Sequence, residues 1–364
     1  MDKFCSDIHN NLSITLSNKG VSLGPCCWYK DSPIMVDKIW DHKKLIEIRK
    51  ENKDNILSLT GCSQCIYMEN NGGISRRTGV NQYYNSRVTD LTGPRGLEIS
   101  IDYTCNLACI YCQPSLSTQW RLELGTDKNK FPVRLSELDI TKLLDKIDLT
   151  NLDNIHFYGG DPLFTNTHEF ILNYIDKRVG LRSIYVWYNT NGTLRVKPRV
   201  FDLWNKCRLI KLYFSIDDIG PRFEYLRYGA VWQEVEDNIL WYKEHSPVNV
   251  MFAIQPTINC LNLYYHQELI KWKQQNIDAN RLGDFTDLTR HNVFRKFQIS
   301  SIPDELMRKC VENNKIDGWV SEFSSSFKFN PQHQKNTIAE IKILDQRRNL
   351  NFTSVFPELA SYFG

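Results

Sequence analysis

From Leu97 onward, short apolar runs and amphipathic segments alternate along the chain. Leu97-Glu98-Ile99-Ser100-Ile101-Asp102 places an apolar side chain at every second position, the period of a half-buried strand. Further strands are predicted at Ile155-His156-Phe157-Tyr158, Ile184-Tyr185-Val186-Trp187-Tyr188, Leu209 to Ile216 and Val248 to Ile254, with a sixth over Phe294 to Ile299. Between them, Ser136 with Asp139 three residues on forms a helix start, and Ile140, Leu143, Leu144 and Ile147 recur at helical spacing. Other helices are predicted through Phe170 to Ile175, Val200 to Asn205, the stripe Trp232, Val235, Ile239 and Tyr242, and Leu269 to Trp272. Strands and helices in alternation imply right-handed crossovers and a parallel sheet, an α/β fold.

The texture changes at Thr92-Gly93-Pro94-Arg95-Gly96, where a domain boundary is expected. Before it, the chain reads as irregular, with one helix around Asp41 to Lys50. Beyond the α/β stretch, Ile302-Pro303-Asp304-Glu305-Leu306 reads as a helix start with proline in its first turn. Thr337 to Arg348 is an expected amphipathic helix, and the apolar residues of 351–359 are expected to cap the domain. The expected division is therefore 1–92, 93–300 and 301–364.

With 41% hydrophobic and 24% charged residues over 364 positions, the chain can bury a core, which excludes wholesale disorder. A net charge of +3 from 45 basic and 42 acidic residues gives no electrostatic case for a dedicated nucleic-acid binder. No apolar stretch approaches the length of a membrane span and no signal sequence opens the chain, so a cytoplasmic protein without a membrane partner is expected. In a reducing compartment, eleven cysteines point to metal ligands or reactive thiols rather than disulfides. Cys5, Cys26, Cys27, Cys62 and Cys65 form one group and Cys105, Cys109 and Cys112 another, which implies two sites. Cys207, Cys260 and Cys310 stand alone in apolar or helical contexts, where cysteine is usually a small core residue.

The first four strands end in polar or glycine-rich clusters, and in α/β folds the strand C-termini carry the ligand site. Cys105-Asn106-Leu107-Ala108-Cys109-Ile110-Tyr111-Cys112 comes directly after the first strand. Three thiolates within eight residues can hold three corners of an iron-sulfur cubane and leave the fourth iron open. A closed zinc site would want a fourth ligand, and no Cys or His lies close downstream. Tyr158-Gly159-Gly160-Asp161-Pro162 comes after the second strand; two residues without side chains admit a ligand's close approach, or form an ordinary β-α turn. Asn189-Thr190-Asn191-Gly192-Thr193 and Ser215-Ile216-Asp217 close the next two strands.

The C-x3-C-x2-C loop, with the aromatic Tyr111 before its third cysteine, resembles the signature of the radical SAM superfamily, and the other strand-end clusters come in that family's order. The resemblance implies a partial (β/α)6 TIM barrel in which Cys105, Cys109 and Cys112 hold a 4Fe-4S cluster that binds S-adenosylmethionine (SAM). It places Tyr111, Gly159, Gly160, Asp161, Asn191, Ser215 and Gln255 around that cofactor, although the family more often has Glu where Asp161 stands. One electron from the cluster would cleave the sulfonium, and the 5'-deoxyadenosyl radical would abstract hydrogen from a substrate in a site closed to water. Asp217 and Asp218 are the candidate acid or base residues. Glu224, Arg227 and Tyr228 either face the substrate with Asp218 or belong to a helix with ordinary charge pairs.

Cys5, Gly20, Pro25-Cys26-Cys27-Trp28 and Gly61-Cys62-Ser63-Gln64-Cys65 resemble the auxiliary-cluster module called SPASM, or its shorter form twitch. That resemblance implies an auxiliary 4Fe-4S cluster on Cys5, Cys26, Cys62 and Cys65 in the segment 1–92. Spacing does not decide between Cys26 and Cys27, and four cysteines in two pairs would equally suit a structural zinc. The module is more commonly C-terminal to the core. In radical SAM proteins that carry it first, the stretch after the C-x2-C pair is similar to Glu69-Asn70-Asn71-Gly72-Gly73-Ile74-Ser75-Arg76. The family reading implies a peptide or protein substrate first and small-molecule oxidation or rearrangement second, with a flavodoxin- or ferredoxin-type electron donor. RNA modification would need a basic face, and a non-catalytic zinc module would bind zinc in place of iron.

Overall fold

A computed structural model describes residues 2–30, 32, 39–70, 75–84, 90–126, 133–277, 296–315, 319–324 and 328–364. The chain opens with α1 (Ser6–Asn10), a hairpin of β1 (Asn11–Ser17) and β2 (Gly20–Gly24), and α2 (Lys43–Lys53), α3 (Ser63–Asn70) and α4 (Arg76–Tyr84). The first ninety residues are therefore less irregular than expected. Leu12, Ile14 and Leu16 of β1 alternate with polar neighbours, and Gly20, at φ 113°, enters β2 from the hairpin turn.

Strands and helices then alternate as β3 (Gly96–Ser100), α5 (Thr118–Glu123), α6 (Glu137–Leu144), β4 (Asn154–Phe157), α7 (Thr167–Val179), β5 (Tyr185–Thr190) and α8 (Pro198–Lys206). They continue with β6 (Leu209–Phe214), α9 (Gly220–Leu226), α10 (Trp232–His245), β7 (Val250–Ile254) and α11 (His266–Asn276). Ser136 caps α6 as expected, its Oγ accepting from the Asp139 N–H at 3.1 Å. The last helices are α12 (Asp304–Asn313), α13 (Trp319–Ser324), α14 (Pro331–Arg348), α15 (Phe352–Val355) and α16 (Ala360–Phe363). Pro303 is the residue before α12 rather than within its first turn. Among the described residues no helix is long and apolar enough to cross a membrane.

The strands form one seven-stranded sheet in the order β2-β1-β3-β4-β5-β6-β7. β1 is antiparallel to β2 and parallel to β3, and β3, β4 and β5 are mutually parallel. The fold is the expected α/β class, consistent with a partial barrel. The strand expected at Phe294 to Ile299 is corrected: 296–298 form no strand and Ile299–Ser301 is a 3-10 turn, while 294–295 lie outside the described residues. Phe297 sits at φ 60° and is fully buried, so the apolar pattern there marks a buried turn. β1, from the first ninety residues, extends the sheet beside β3.

By internal contacts the chain divides into two compact units. The first comprises 1–105, 124–189 and 196–211, and the second 106–123, 190–195 and 212–364. In the first, Phe157 of β4 and Tyr188 of β5 stack with ring centroids 5.1 Å apart, and His168 of α7 meets both rings edge-on. In the second, Tyr225 of α9 packs against Phe352 and Phe356, in a core that also buries Leu263, Ile299, Leu344 and Phe363. Asp345 of α14 ties the C-terminal turns to that core, accepting from the Tyr225 hydroxyl and the Phe352 N–H at 2.8 Å each.

Candidate active site

In the second unit, the loop from Asn106 to Cys112 is held through its backbone. The N–H groups of Ala108 and Ile110 donate to Tyr228 and Leu226 at 2.9 Å, a two-rung ladder onto the chain leaving α9. The carbonyls of Leu107, Ala108 and Cys109 accept from Ser117 Oγ at 2.7 Å, Arg348 Nη2 at 2.8 Å and Trp120 Nε1 at 2.8 Å. Leu107, Ala108 and Ile110 are buried between the thiols, and Cys112 closes the turn by donating its N–H to Cys109 O. A loop with its backbone groups so paired holds its side chains in fixed directions before any cofactor arrives.

Asp217, fully buried after β6, is the polar centre beside this loop. It is ion-paired with Arg227, whose Nε lies 2.7 Å away, and accepts from Arg227 Nη2 at 3.1 Å, from the Thr257 N–H at 2.6 Å, and from the Tyr111 hydroxyl. Arg227 Nη1 also lies 3.8 Å from Cys109 Sγ. Burial pushes the Asp217 carboxyl up, and Arg227 and the Thr257 donors pull it back. Burial likewise pushes the Cys109 thiol up while Arg227 lowers it. Asp218 points elsewhere: it pairs with Arg222 at 3.0 Å and accepts from the Ile219 N–H, and burial raises its pKa to about 7. Of the sequence candidates, Asp217 thus joins Tyr111 and Cys109, whereas Asp218 joins Arg222 in an i, i+4 pair about α9.

Asn191 comes just after β5 and reaches the cysteine loop through Asn106, donating Nδ2 to its Oδ1 at 3.0 Å. Thr193 closes a ring of side chains, donating to Asn191 Oδ1 and accepting from Asn106 Nδ2. Ser215 donates its N–H to Thr190 O, and Gln255 donates its N–H to Phe214 O, so each continues a strand edge. Spacing does not single out Asn106, because its partner lies 85 residues away.

In the first unit, Gly159 and Gly160 come after β4 and meet the chain that leads into Cys105. A Cβ on Gly159 would lie 2.6 Å from Asp102 O, and one on Gly160 2.4 Å from Thr104 O. Gly159 has φ 136°, a conformation that L side chains rarely adopt. Gly160 and Asp161 donate their N–H groups to Asp102 O and Thr104 O, and the buried Asp161 Oδ1 accepts from the Leu163 N–H. The glycines admit backbone, and the backbone they admit here belongs to 102–104.

The first-unit cysteines surround a small cavity of about 20 Å³. Cys5, Cys26, Cys62 and Cys65 are all at its wall; among the described residues Cys27 is not, and its side chain is exposed. The Cys27 N–H donates to Glu98 at 2.7 Å, which turns this residue away from its neighbour's direction. Gly61 precedes Cys62 and makes room for the Tyr29 ring, which a Cβ would strike. Burial pushes all four thiols up, Cys62 to about 11, so they stay neutral unless a metal binds. Arg76 and Arg77 also line the cavity and lower individual thiols. Arg76 pairs with Asp7 at 2.6 Å and with Glu98, and Arg77 pairs with Glu69. Four thiols around a volume with guanidinium groups at its wall suit a cluster whose four thiolates need counter-charge. Among the described residues no three His, Cys, Asp or Glu side chains converge on one single-ion position. Residues 71–74 of the motif after Cys65 lie outside the described residues.

Residues 99–259 match the family model described as the radical SAM superfamily. The mitochondrial GTP 3',8-cyclase of Arabidopsis thaliana is 25% identical over 236 residues, covering 64% of this chain and 57% of that protein. Molybdenum cofactor biosynthesis protein 1 of Dictyostelium discoideum is 26% identical over 245 residues, covering 61% and 36%. The chain thus spans between a third and three fifths of the length of these relatives. The structure of Streptococcus suis SuiB bound to S-adenosylmethionine aligns at 16% identity with a TM-score of 0.40, over 79% of this chain and 60% of that one. The matched segment carries the three-cysteine loop, the Gly159-Gly160 turn and Asp217, so this part of the chain is a radical SAM domain; enzymes of that superfamily use a 4Fe-4S cluster and SAM.

Proposed function

We propose that this enzyme abstracts hydrogen from an organic substrate, first of all a peptide or protein side chain, with two iron-sulfur clusters in attendance. Cys105, Cys109 and Cys112 would hold the SAM cluster, with Tyr111, Gly159, Gly160, Asp161, Asn191, Ser215 and Gln255 around SAM. Cys5, Cys26, Cys62 and Cys65 would hold an auxiliary 4Fe-4S cluster within 1–92, ahead of a core over 93–300 and a helical cap over 301–364. When bound, SAM and its cluster supply a 5'-deoxyadenosyl radical by one-electron cleavage of the sulfonium. The chain's own contribution is positional. Ser117, Trp120 and Arg348 fix the cysteine loop, and the Arg227–Asp217 pair places a cation beside Cys109.

The observation that carries the auxiliary cluster is the cavity that four of the five N-terminal cysteines share. A flavodoxin- or ferredoxin-type protein in the cytoplasm is the proposed electron donor. A second reading, small-molecule radical oxidation or rearrangement, is favoured by the relatives named GTP 3',8-cyclase. The test is anaerobic purification with iron, sulfide and zinc analysis, then SAM and dithionite while 5'-deoxyadenosine is monitored. Two clusters amount to about eight irons per chain. That content with deoxyadenosine formed supports the reading; zinc without iron after reconstitution, and intact SAM, would overturn it.

A further inference from the structure

A second cavity of the first unit has room for about 190 Å³. Its sheet wall is Asn11 of β1, Glu98 of β3, Asn154 and His156 of β4, and Trp187 of β5. Glu98 is registered with His156, and His156 with Trp187, so these three side chains stand in one row on one face. The opposite face is apolar, with Phe157 and Tyr188 meeting His168 of α7. Asn11 and Asn154 are the first residues of their strands, so the cavity reaches the strands' N-terminal end, while His156 further along β4 also bonds to Asn189 Oδ1, the first residue of the cluster that closes β5. Asp7 and Arg76 line both this cavity and the cysteine cavity.

Its helical wall includes Gly79 and Tyr84 of α4. Gly79 lies inside the helix, and among the described residues a Cβ there would meet nothing within 4 Å. Glycine inside a helix costs about 1 kcal/mol relative to alanine. Packing among the described residues gives no reason to bear that cost; a ligand beside the helix would.

The charges restrict that ligand. Arg76 is the guanidinium at the wall, and Asp7 and Glu98 already engage it, so the lining carries two carboxylates against one cation. Burial pushes the His156 imidazole down, which keeps it neutral. Such a lining opposes phosphate and accepts neutral or positive groups. The remaining surface is amide and aromatic: Asn154 Nδ2 lies 3.3 Å from the Tyr84 hydroxyl, and the Trp187 indole stands edge-on to His156.

We propose that this cavity binds an uncharged or cationic part of the substrate, an amide- or amine-bearing side chain of a peptide, and excludes phosphorylated nucleotides. Calling the ligand a substrate rests on the radical SAM reading; the binding chemistry does not. The test is saturation-transfer NMR on the full chain with N-acetyl-lysine methylamide, N-acetyl-tyrosine methylamide and GTP as probes, in the wild type, Gly79→Phe and Gly79→Ala. The blocked amino acids should bind the wild type, about tenfold more weakly to Gly79→Phe, and measurably more weakly to Gly79→Ala although its melting temperature rises. GTP should not bind. Amide probes that miss the wild type or bind both variants undiminished, or GTP binding that Gly79→Phe abolishes, would overturn the proposal. Should Gly79→Phe not fold, Gly79→Ala decides between the same outcomes. Deoxyadenosine formation is assayed separately on the wild type, so its absence would remove the radical reading and leave the cavity result standing.

Discussion

Arg227 Nε lies 2.7 Å from Asp217 Oδ2, and both side chains are buried, at 7% and 0% exposure. The same guanidinium reaches to 3.8 Å from Cys109 Sγ, and Asp217 also receives the Tyr111 hydroxyl, so one buried pair orders two residues of the cysteine loop. Removing the cation alone strands a carboxylate in the interior. Arg227→Met should therefore cost about 3–5 kcal/mol of unfolding free energy in urea titrations. Combining it with Asp217→Asn should cost less than the two single losses summed, since the stranded charge is then gone. A loss for Arg227→Met under about 1 kcal/mol, the size of an exposed pair, would contradict this account.

Cys26 and Cys27 are neighbours with different surroundings. Cys26 is at the wall of the cysteine cavity, whereas Cys27 is exposed with its N–H on Glu98 and its Sγ 3.4 Å from Arg76 Nη1. Cys26→Ser should drop the reconstituted iron content from about eight to about four per chain, and Cys27→Ser should keep about eight. The reverse pattern would move the ligand to Cys27.

The Gly159-Gly160 turn makes a different kind of claim on stability. The Cβ of Gly160→Ala would fall 2.4 Å from Thr104 O and 2.6 Å from Tyr103 C, both backbone atoms that cannot rotate away. Forced overpacking of this sort costs about 1–3 kcal/mol, and the strain would fall on the residues just before Cys105. Gly160→Ala should lower the melting temperature and the iron content together. A variant with unchanged iron and unchanged melting temperature would show that this contact yields freely.

What the sequence made legible was whatever depends on near neighbours. The C-x3-C-x2-C spacing, the Ser136 cap and the strand periods from Leu97 to Ile254 are local, and β3 to β7 lie where those periods predict. β1 carries the same local period in Leu12, Ile14 and Leu16, yet the sequence-based expectation for its segment is irregular structure, and its place beside β3 depends on a register that joins Ser13 to Glu98 across 85 positions. The choice of Cys26 over Cys27 at the cavity wall also lies beyond spacing, because it turns on Glu98, 71 residues away. Phe297 and Ile299 show the opposite failure. Two buried residues at a spacing of two fit a strand and a tight turn equally, and a φ of 60° at Phe297 belongs to the turn.

His168 provides a test of the core that needs no cofactor. Its ring lies edge-on to Phe157 and Tyr188, with Nδ1 3.2 Å from the Tyr188 hydroxyl, and burial lowers its pKa to about 4. Unfolded, the imidazole titrates near 6.5. As pH falls from about 6.5 towards 4, the unfolded chain takes up a proton that the folded one refuses, so stability present above that window is lost on acidification. A gap of this width is worth of the order of 3 kcal/mol at full effect. His9, also lowered to about 4 by burial, adds a loss of the same sign. Urea midpoints at about pH 7 and about pH 4.5 should therefore differ more in the wild type than in His168→Gln, which carries no titrating ring at that position. Equal differences would show that His168 accepts its proton in the folded state, and that the Phe157–Tyr188 stack opens to let it in.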